Sequence, residues 1–339
     1  MKIAIGYKIK NGPWGGGNQF AKSLCKNLEE DGHEVFFELF RKDIDLILLT
    51  DPRRRSSCVA FGSRDILWYI LRKNPNALVV HRINECDQRK NTFYMNYLLK
   101  LSNYAADFTI FIASWLKDLN ISEIDKDNAV ILNGGDNQLF NINNNIEWNN
   151  EEPLKIVTHH WGGNYMKGFD VYKKLDKLLA KRSFRKKFKF TYIGNLPKDV
   201  YFRNSKHIKP LHGENLAKEL SNHHVYLTAS INEPAGMHHI EGALSGLPII
   251  YRKSGALPEY CKGFGIQFED DKFMPALDLM RKEYFNIRKS LYKYPNNEFY
   301  MSKNYINLFK KLIRNKQKFL NKRNIFRNPF ILLINLLIL

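Results

Sequence analysis

The chain has 339 residues, 44% of them apolar and 13% aromatic, and a formal net charge of +19. That length points to two domains, since a single core stops growing at about 250–300 residues, and the apolar content excludes a disordered chain. The charge attracts polyanions of any kind, whether nucleic acid, an anionic membrane surface or a phosphorylated substrate, and does not choose among them.

The four cysteines (Cys25, Cys58, Cys86, Cys261) are scattered, with no CxxC. They suggest neither a zinc site nor a disulfide framework, and fit reduced thiols in a cytosolic protein. The opening MKIAIGYKIKNG holds too short an apolar run for a secretory signal.

Along the chain, residues 2–7 read as a buried strand, 12–17 as a Gly-rich turn, and 19–28 as a helix with Phe20, Leu24 and Leu28 on one face. Residues 34–40, 44–49, 77–81, 107–112 and 129–132 are further strand-like runs. Strands alternating with helices predict a parallel sheet covered on both faces. The Asn- and Glu-rich stretch 141–153 reads as an interdomain linker. The alternation then restarts with strand-like runs at 155–159, 189–193, 225–229 and 247–251, which predicts a second α/β domain. A long basic helix is expected over 299–323. The tail 330–339 (FILLINLLIL) is apolar but shorter than the roughly 20 residues needed to cross a bilayer. After Glu298 there are nine Lys/Arg and no Asp/Glu. Basic residues before an apolar stretch fit attachment to an anionic membrane surface, and they fit equally a terminal helix packed on the protein with its basic face solvated.

Ligands of open parallel sheets bind at the carboxyl ends of strands, so polar residues just after apolar runs are the candidates. Four places qualify. The first is GPWGGGNQF at 12–20, where glycines allow close backbone approach and a helix start favours an anion. Its spacing is not GxGxxG, which speaks against a dinucleotide-dependent oxidoreductase. The second is 81–89, where His81, Arg82, Glu85, Asp87 and Arg89 follow a buried strand. A histidine there can bond a sugar hydroxyl or exchange a proton, and the plain alternative is a capped loop of salt-bridged residues. The third is VILNGGD at 130–136, which on physics alone is also a turn that closes the domain.

The fourth is NEPAGMHHIEGALSGLP at 232–248. Glu233 ends a strand and loop, and Glu241 lies eight positions on, inside a helix. One carboxylate can accept hydrogen bonds from a sugar and the other can hold ribose hydroxyls. Taken singly, each is equally an N-cap or a surface glutamate.

The Glu233–x7–Glu241 element with GALSGLPII behind it resembles the signature of retaining glycosyltransferases of family 4, which have the GT-B fold. Other pieces follow in order. Residues 15–20 resemble the N-terminal GG loop, 130–140 the NGVDxxxF segment with Gly135 where valine is usual, and 167–170 the KGxD element. Gly194 and Asn195 resemble a small-residue turn, and 254–259 the segment after the signature helix. The resemblance runs to about residue 310. It implies two Rossmann-like domains facing across a cleft: an acceptor domain over 1–145, a linker over 146–153, a nucleotide-sugar domain over 154–290, a basic helix over 291–325 that crosses back, and an apolar tail over 326–339.

The resemblance also implies roles. Lys167 neutralises the leaving diphosphate, Glu233 contacts the donor sugar, Glu241 binds the ribose, and His81 lines the sugar pocket. Gly16, Gly17, Gly194, Asn195, Gly236 and Met237 complete the donor side. Arg82, Asn84 and Asp87 are the acceptor-side candidates. The family's usual second diphosphate cation is an arginine where this chain has Trp161 and Gly162, with Arg252 or Arg82 as stand-ins. The acidic run Glu269, Asp270 and Asp271 reads as a solvated turn rather than a metal site.

The expected function is sugar transfer with retention, without metal or other cofactor, from a nucleotide-sugar to a glycan or lipid-linked acceptor. Surface polysaccharide synthesis in the cytoplasm or on the membrane's cytoplasmic face fits. No nucleic acid partner is expected. The rivals are a sugar phosphorylase or epimerase of GT-B shape and a non-catalytic polyanion-binding protein.

Overall fold

The computed structural model describes residues 1–12, 14–53, 55–123, 126–270 and 272–337. The chain divides into two compact units, Met1–Asn133 together with Glu298–Leu339, and Gly134–Asn297.

In the first unit β1 (Lys2–Ile5), β2 (Glu34–Phe36), β3 (Leu46–Leu49), β4 (Leu78–Ile83), β5 (Phe108–Phe111) and β6 (Asn128–Val130) form one sheet in the order β2-β1-β3-β4-β5-β6, every pair parallel. The helices α1 (Gly15–Glu30), α2 (Ser63–Arg72) and α3 (Met95–Asn103) lie between the strands in sequence. Side chains alternate across a strand, so each apolar run divides between two cores. Ile3, Ile5, Leu46, Leu48, Leu78 and Val80 pack with Phe20, Leu24 and Leu28 of α1. Ala4, Ile47, Leu49 and Val79 pack on the other face with Ile66, Leu67 and Ile70 of α2. Burial on both faces is why these strands read as unbroken apolar runs.

In the second unit β7 (Leu154–His160), β8 (Phe188–Gly194), β9 (Lys206–Ile208), β10 (Val225–Thr228), β11 (Ile249–Arg252) and β12 (Gly265–Phe268) form a parallel sheet in the order β12-β11-β10-β7-β8-β9. Its helices are α4 (Phe169–Leu178), α5 (Arg182–Arg185), α6 (Gly213–Ser221), α7 (His238–Leu244), α8 (Leu257–Cys261) and α9 (Phe273–Leu291). This is the doubly wound order, and its switch point lies between β7 and β10. The edge strands β9 and β12 are short and partly exposed, and for that reason the sequence carries no apolar run that announces them.

Three expectations need correction. The stretch 146–153 is not a free linker. Trp148 is 1% exposed in the second unit's core, its indole N–H donates to the Glu152 carbonyl at 2.8 Å, and its backbone N–H bonds Tyr284. The Gly-rich turn at 12–17 is in part helix, because α1 starts at Gly15 and so contains Gly16 and Gly17; Pro13 lies outside the described residues. The basic C-terminal stretch is two helices, α10 (Glu298–Arg314) and α11 (Lys316–Lys322), broken at Asn315.

Met301, Tyr305, Phe309 and Phe319 of these two helices fill the first unit's core. A further helix, α12 (Pro329–Leu337), buries Leu332 and Asn335 and leaves Phe330, Leu333 and Leu337 exposed. Ile338 and Leu339 of the apolar tail lie outside the described residues. Among the described residues no helix is long and apolar enough to cross a membrane.

Candidate active site

The second unit gathers its chemistry at the carboxyl ends of β7 and β10, the switch point where ligands of doubly wound sheets bind. After β7 the chain makes a 3-10 turn over Tyr165–Lys167, ended by Gly168 in the left-handed conformation (φ +95°). A side chain at 168 would put its Cβ 2.5 Å from Ala229, just beyond β10. Only glycine allows this approach. It brings the Lys167 turn against the β10 loop, where the Ile231 N–H donates to the Met166 carbonyl at 2.7 Å.

The contact delivers Lys167 to Glu233. Its Nζ lies 2.6 Å from Oε2 of Glu233, and both side chains are buried. Glu233 is held from the other side by Gly255 (φ +54°), where a Cβ would strike the Glu233 backbone at 2.5 Å, and by an Ala256 N–H to Glu233 carbonyl bond of 2.9 Å. Gly236 is likewise left-handed; a Cβ there would meet the His238 ring at 2.7 Å and Glu233 Cγ at 3.1 Å. Met237 precedes α7, and its carbonyl accepts the Glu241 N–H at 2.9 Å. The glycines of the 232–255 segment therefore shape the loop around one carboxylate.

Glu241, one turn into α7, is buried and lies 2.7 Å from Nε2 of His159, the penultimate residue of β7. His159 is a polar residue near the end of an apolar strand, the one signal in the sequence that would find it. Three more imidazoles crowd the place. The His160 ring is 4.6 Å from that of His238, and His238 is 5.0 Å from His239. His160 bonds Tyr172 Oη at 2.8 Å, and His238 bonds Thr228 Oγ1 at 2.8 Å. Among the described residues neither ring nitrogen of His239 has a hydrogen-bond partner. Burial pushes His160 and His238 well below the usual imidazole range and His239 down to about 3, so these rings are neutral at pH 7.

Gly194 ends β8 so close to β7 that a Cβ would lie 2.0 Å from the His160 carbonyl oxygen. Asn195, exposed, donates to the Trp161 carbonyl at 2.7 Å. Trp161 itself is largely exposed, and Gly162 has open space around it. Arg252, the first proposed stand-in for the missing arginine, is held by Asp170 and, at 3.1 Å, by Asp270. That pairing also gives the acidic run 269–271 a structural role; its Asp271 lies outside the described residues. Among the described residues no group of three or more His, Cys, Asp or Glu is arranged to hold a metal ion.

The first unit treats its candidates differently. His81 does not follow the strand; it lies within β4 at 0% exposure, with Nδ1 3.1 Å from the Asn103 amide and, among the described residues, no partner on Nε2. Burial pushes it down to about 3. A ring enclosed in this way is neutral at pH 7 and sits inside the sheet rather than at its carboxyl edge.

Arg82 is also buried. It donates to Asn133 Oδ1 at 2.8 Å and to Tyr305 Oη at 3.1 Å, and lies over the Phe20 ring. These contacts pin β4 to α1, to α10 and to the end of the unit. The Asn84 amide, oriented to suit both neighbours, donates to the Thr50 carbonyl and accepts from Arg82. Asp87 accepts from Thr92 Oγ1 and from the Met95 and Asn96 N–H groups, which makes it the cap of α3. Arg89 pairs with Glu85 at 2.9 Å. The plain reading of this loop, capped and salt-bridged, is the one realised. At Gly17 a Cβ would touch the Tyr7 ring at 3.3 Å, and Asn18 clamps the loop before α1 through its amide to both backbone groups of Lys10.

No protein-family model matches the chain, and no curated protein matches it in sequence. Solved structures do match over nearly its whole length. Sucrose-phosphate synthase from Thermosynechococcus elongatus is similar with a TM-score of 0.61 at 14% identity, covering 93% of this chain and 99% of that one. HepE from Anabaena, solved in complex with UDP and glucose, gives 0.64 at 12% identity, covering 92% and 100%. The trehalose-6-phosphate protein from E. coli, bound with UDP-2-fluoro glucose, gives 0.65 at 10% identity, covering 91% and 98%. With its two six-stranded parallel sheets and this likeness, the chain has the GT-B fold.

Proposed function

We propose that this chain is a retaining, metal-independent glycosyltransferase that moves a sugar from a nucleotide-sugar donor to a glycan or lipid-linked acceptor. The observation that carries the reading is the convergence of Lys167, Glu233 and Glu241 at the switch point of the second sheet. Their order and spacing resemble the signature of family 4 glycosyltransferases, which implies a donor site. The complexes of similar folds with UDP and glucose support a nucleotide-sugar as the ligand class.

In this reading Glu241 accepts the ribose hydroxyls and Glu233 the hydroxyls of the donor sugar. As the glycosidic bond breaks, negative charge collects on the departing diphosphate. Lys167, already buried and oriented, stabilises that charge with little reorganisation, and this is where a preorganised cation contributes most. The leaving phosphate takes the acceptor proton. Gly194 and Asn195 keep the β8 end narrow beside the donor. Surface polysaccharide synthesis at the cytoplasmic face of a membrane suits the basic, apolar-ended C-terminus.

The test is a thermal-shift and calorimetric screen of UDP-, GDP-, ADP-, dTDP- and CMP-sugars in EDTA, on the wild type and on Glu241→Ala. A ligand that binds only the native state raises apparent stability by mass action. One nucleotide class should bind without divalent metal and lose affinity in the variant, and product NMR should show the donor's anomeric configuration retained. A folded protein that binds none of the donors refutes the reading.

A further inference from the structure

His159 stands at the end of β7 and Glu241 on α7, with Nε2 and Oε2 2.7 Å apart. The other side of the ring is fixed as well. The Tyr226 hydroxyl accepts from the His159 backbone N–H at 3.0 Å and lies 3.1 Å from Nδ1. A phenol has a single proton to give. The hydroxyl lies nearer Nδ1 than the His159 carbonyl, which is 3.3 Å away, and with its proton given to Nδ1 the ring carries a proton on Nε2, facing the carboxylate. Tyr226 is fully buried in β10, and the Glu241 and His159 side chains are nearly so.

The seating of α7 depends on the same tyrosine. A Cβ at Gly242 would lie 2.4 Å from the Tyr226 ring, so the residue after Glu241 has to be glycine for the helix to come this close. Backbone and side chain thus converge on one carboxylate from two strands and a helix.

We propose that His159, backed by Tyr226, is a positioning residue that presents the Glu241 carboxylate to the ribose of a bound nucleotide. The inference rests on the donor-site reading above and adds to it the device that sets how strongly the ribose is read. A glutamate with free torsions gives up rotamer entropy on binding a hydroxyl pair, whereas one held beforehand does not.

The probes are UDP and 2′,3′-dideoxy-UDP, titrated calorimetrically into wild type, Glu241→Ala, His159→Ala and His159→Gln, each checked for a native thermal transition. Loss of the ribose hydroxyls should weaken binding to wild type by roughly tenfold or more, as expected for charge-assisted bonds. In Glu241→Ala that ratio should vanish. In His159→Ala it should shrink to about threefold or less, and His159→Gln, whose amide N–H reaches the same place, should restore most of it. A merely structural role would weaken both ligands equally and keep the wild-type ratio.

A long-range proton–nitrogen NMR spectrum should show His159 as the Nε2–H tautomer, with a downfield proton that is lost in Glu241→Ala. An unchanged ratio in His159→Ala overturns the positioning role and leaves the donor site standing. No ribose discrimination by wild type removes Glu241 from the ribose and the proposal with it, while the ring spectrum still reports whether the pair exists.

Discussion

Nζ of Lys167 and Oε2 of Glu233 lie 2.6 Å apart although the two residues are 66 positions apart in sequence, and both side chains are buried. Their meeting depends on Gly168, which lets one loop end rest on the other. Two charges taken out of water are tolerated only as a pair. Lys167→Met leaves Glu233 without its ammonium partner and should cost about 3 kcal/mol in urea unfolding, with the double variant Lys167→Met/Glu233→Leu recovering part of the loss. On the proposed function both fall at least ~100-fold in turnover, because the cation acts on the leaving group.

Gly168→Ala tests the close approach. The left-handed backbone alone costs an L-residue about 1–2 kcal/mol, and the Cβ would also overlap Ala229. The expected loss is more than ~2 kcal/mol in urea unfolding, together with a longer Lys167–Glu233 distance in a crystal structure. Gly213 is the control: it too has positive φ (+56°) but open space, so Gly213→Ala should lose only the backbone cost of about 1 kcal/mol.

Acid should unfold this protein early. His81 and His239 are pushed down to about 3 by burial, against about 6.5 when unfolded. Below pH 6.5 the unfolded chain therefore binds protons that the folded chain refuses, and stability falls as pH falls until the folded values are reached. Each ring removes about 1.4 kcal/mol per pH unit, so the pair accounts for roughly 5 kcal/mol between about pH 6 and pH 4. His160 and His238 shift in the same direction and steepen the loss. Urea titrations at several pH values measure the slope, and His239→Leu, which replaces a ring with no hydrogen-bond partner, should flatten it by one ring's share.

Arg323 is one anchor of the C-terminal segment. Arg323 donates to the Asp107 carboxylate and, at 2.6 Å each, to the carbonyls of Pro75 and Ala77, just before β4. Arg323→Ala should cost about 3 kcal/mol, since Asp107 stays buried without its partner. Limited proteolysis should then cut within 316–337 before the rest of the chain is touched. Equal resistance of variant and wild type would contradict this anchoring role.

Much of the fold is legible in the sequence because it is local. The central strands announce themselves as apolar runs, and the alternation with helices implies parallel sheets. The signature Glu233–x7–Glu241 with its glycines is readable because those glycines mark close backbone approaches. What depends on distant partners is not legible. Arg82 and Asp87 look like ligand-binding residues after a strand, yet Arg82 satisfies Tyr305, which lies 223 positions away, and Asp87 caps the next helix. Trp148 sits in a stretch whose composition reads as linker, and distant partners such as Tyr284 and Phe285 make it core.

By itself the sequence determined the two α/β units, because strand periodicity and turn glycines are properties of short stretches. The tertiary structure decided which polar residues are spent inside the fold and which remain at the site. It withdrew His81 into β4 and placed His159 against Glu241, because burial and hydrogen-bond satisfaction are set by neighbours that arrive from elsewhere in the chain.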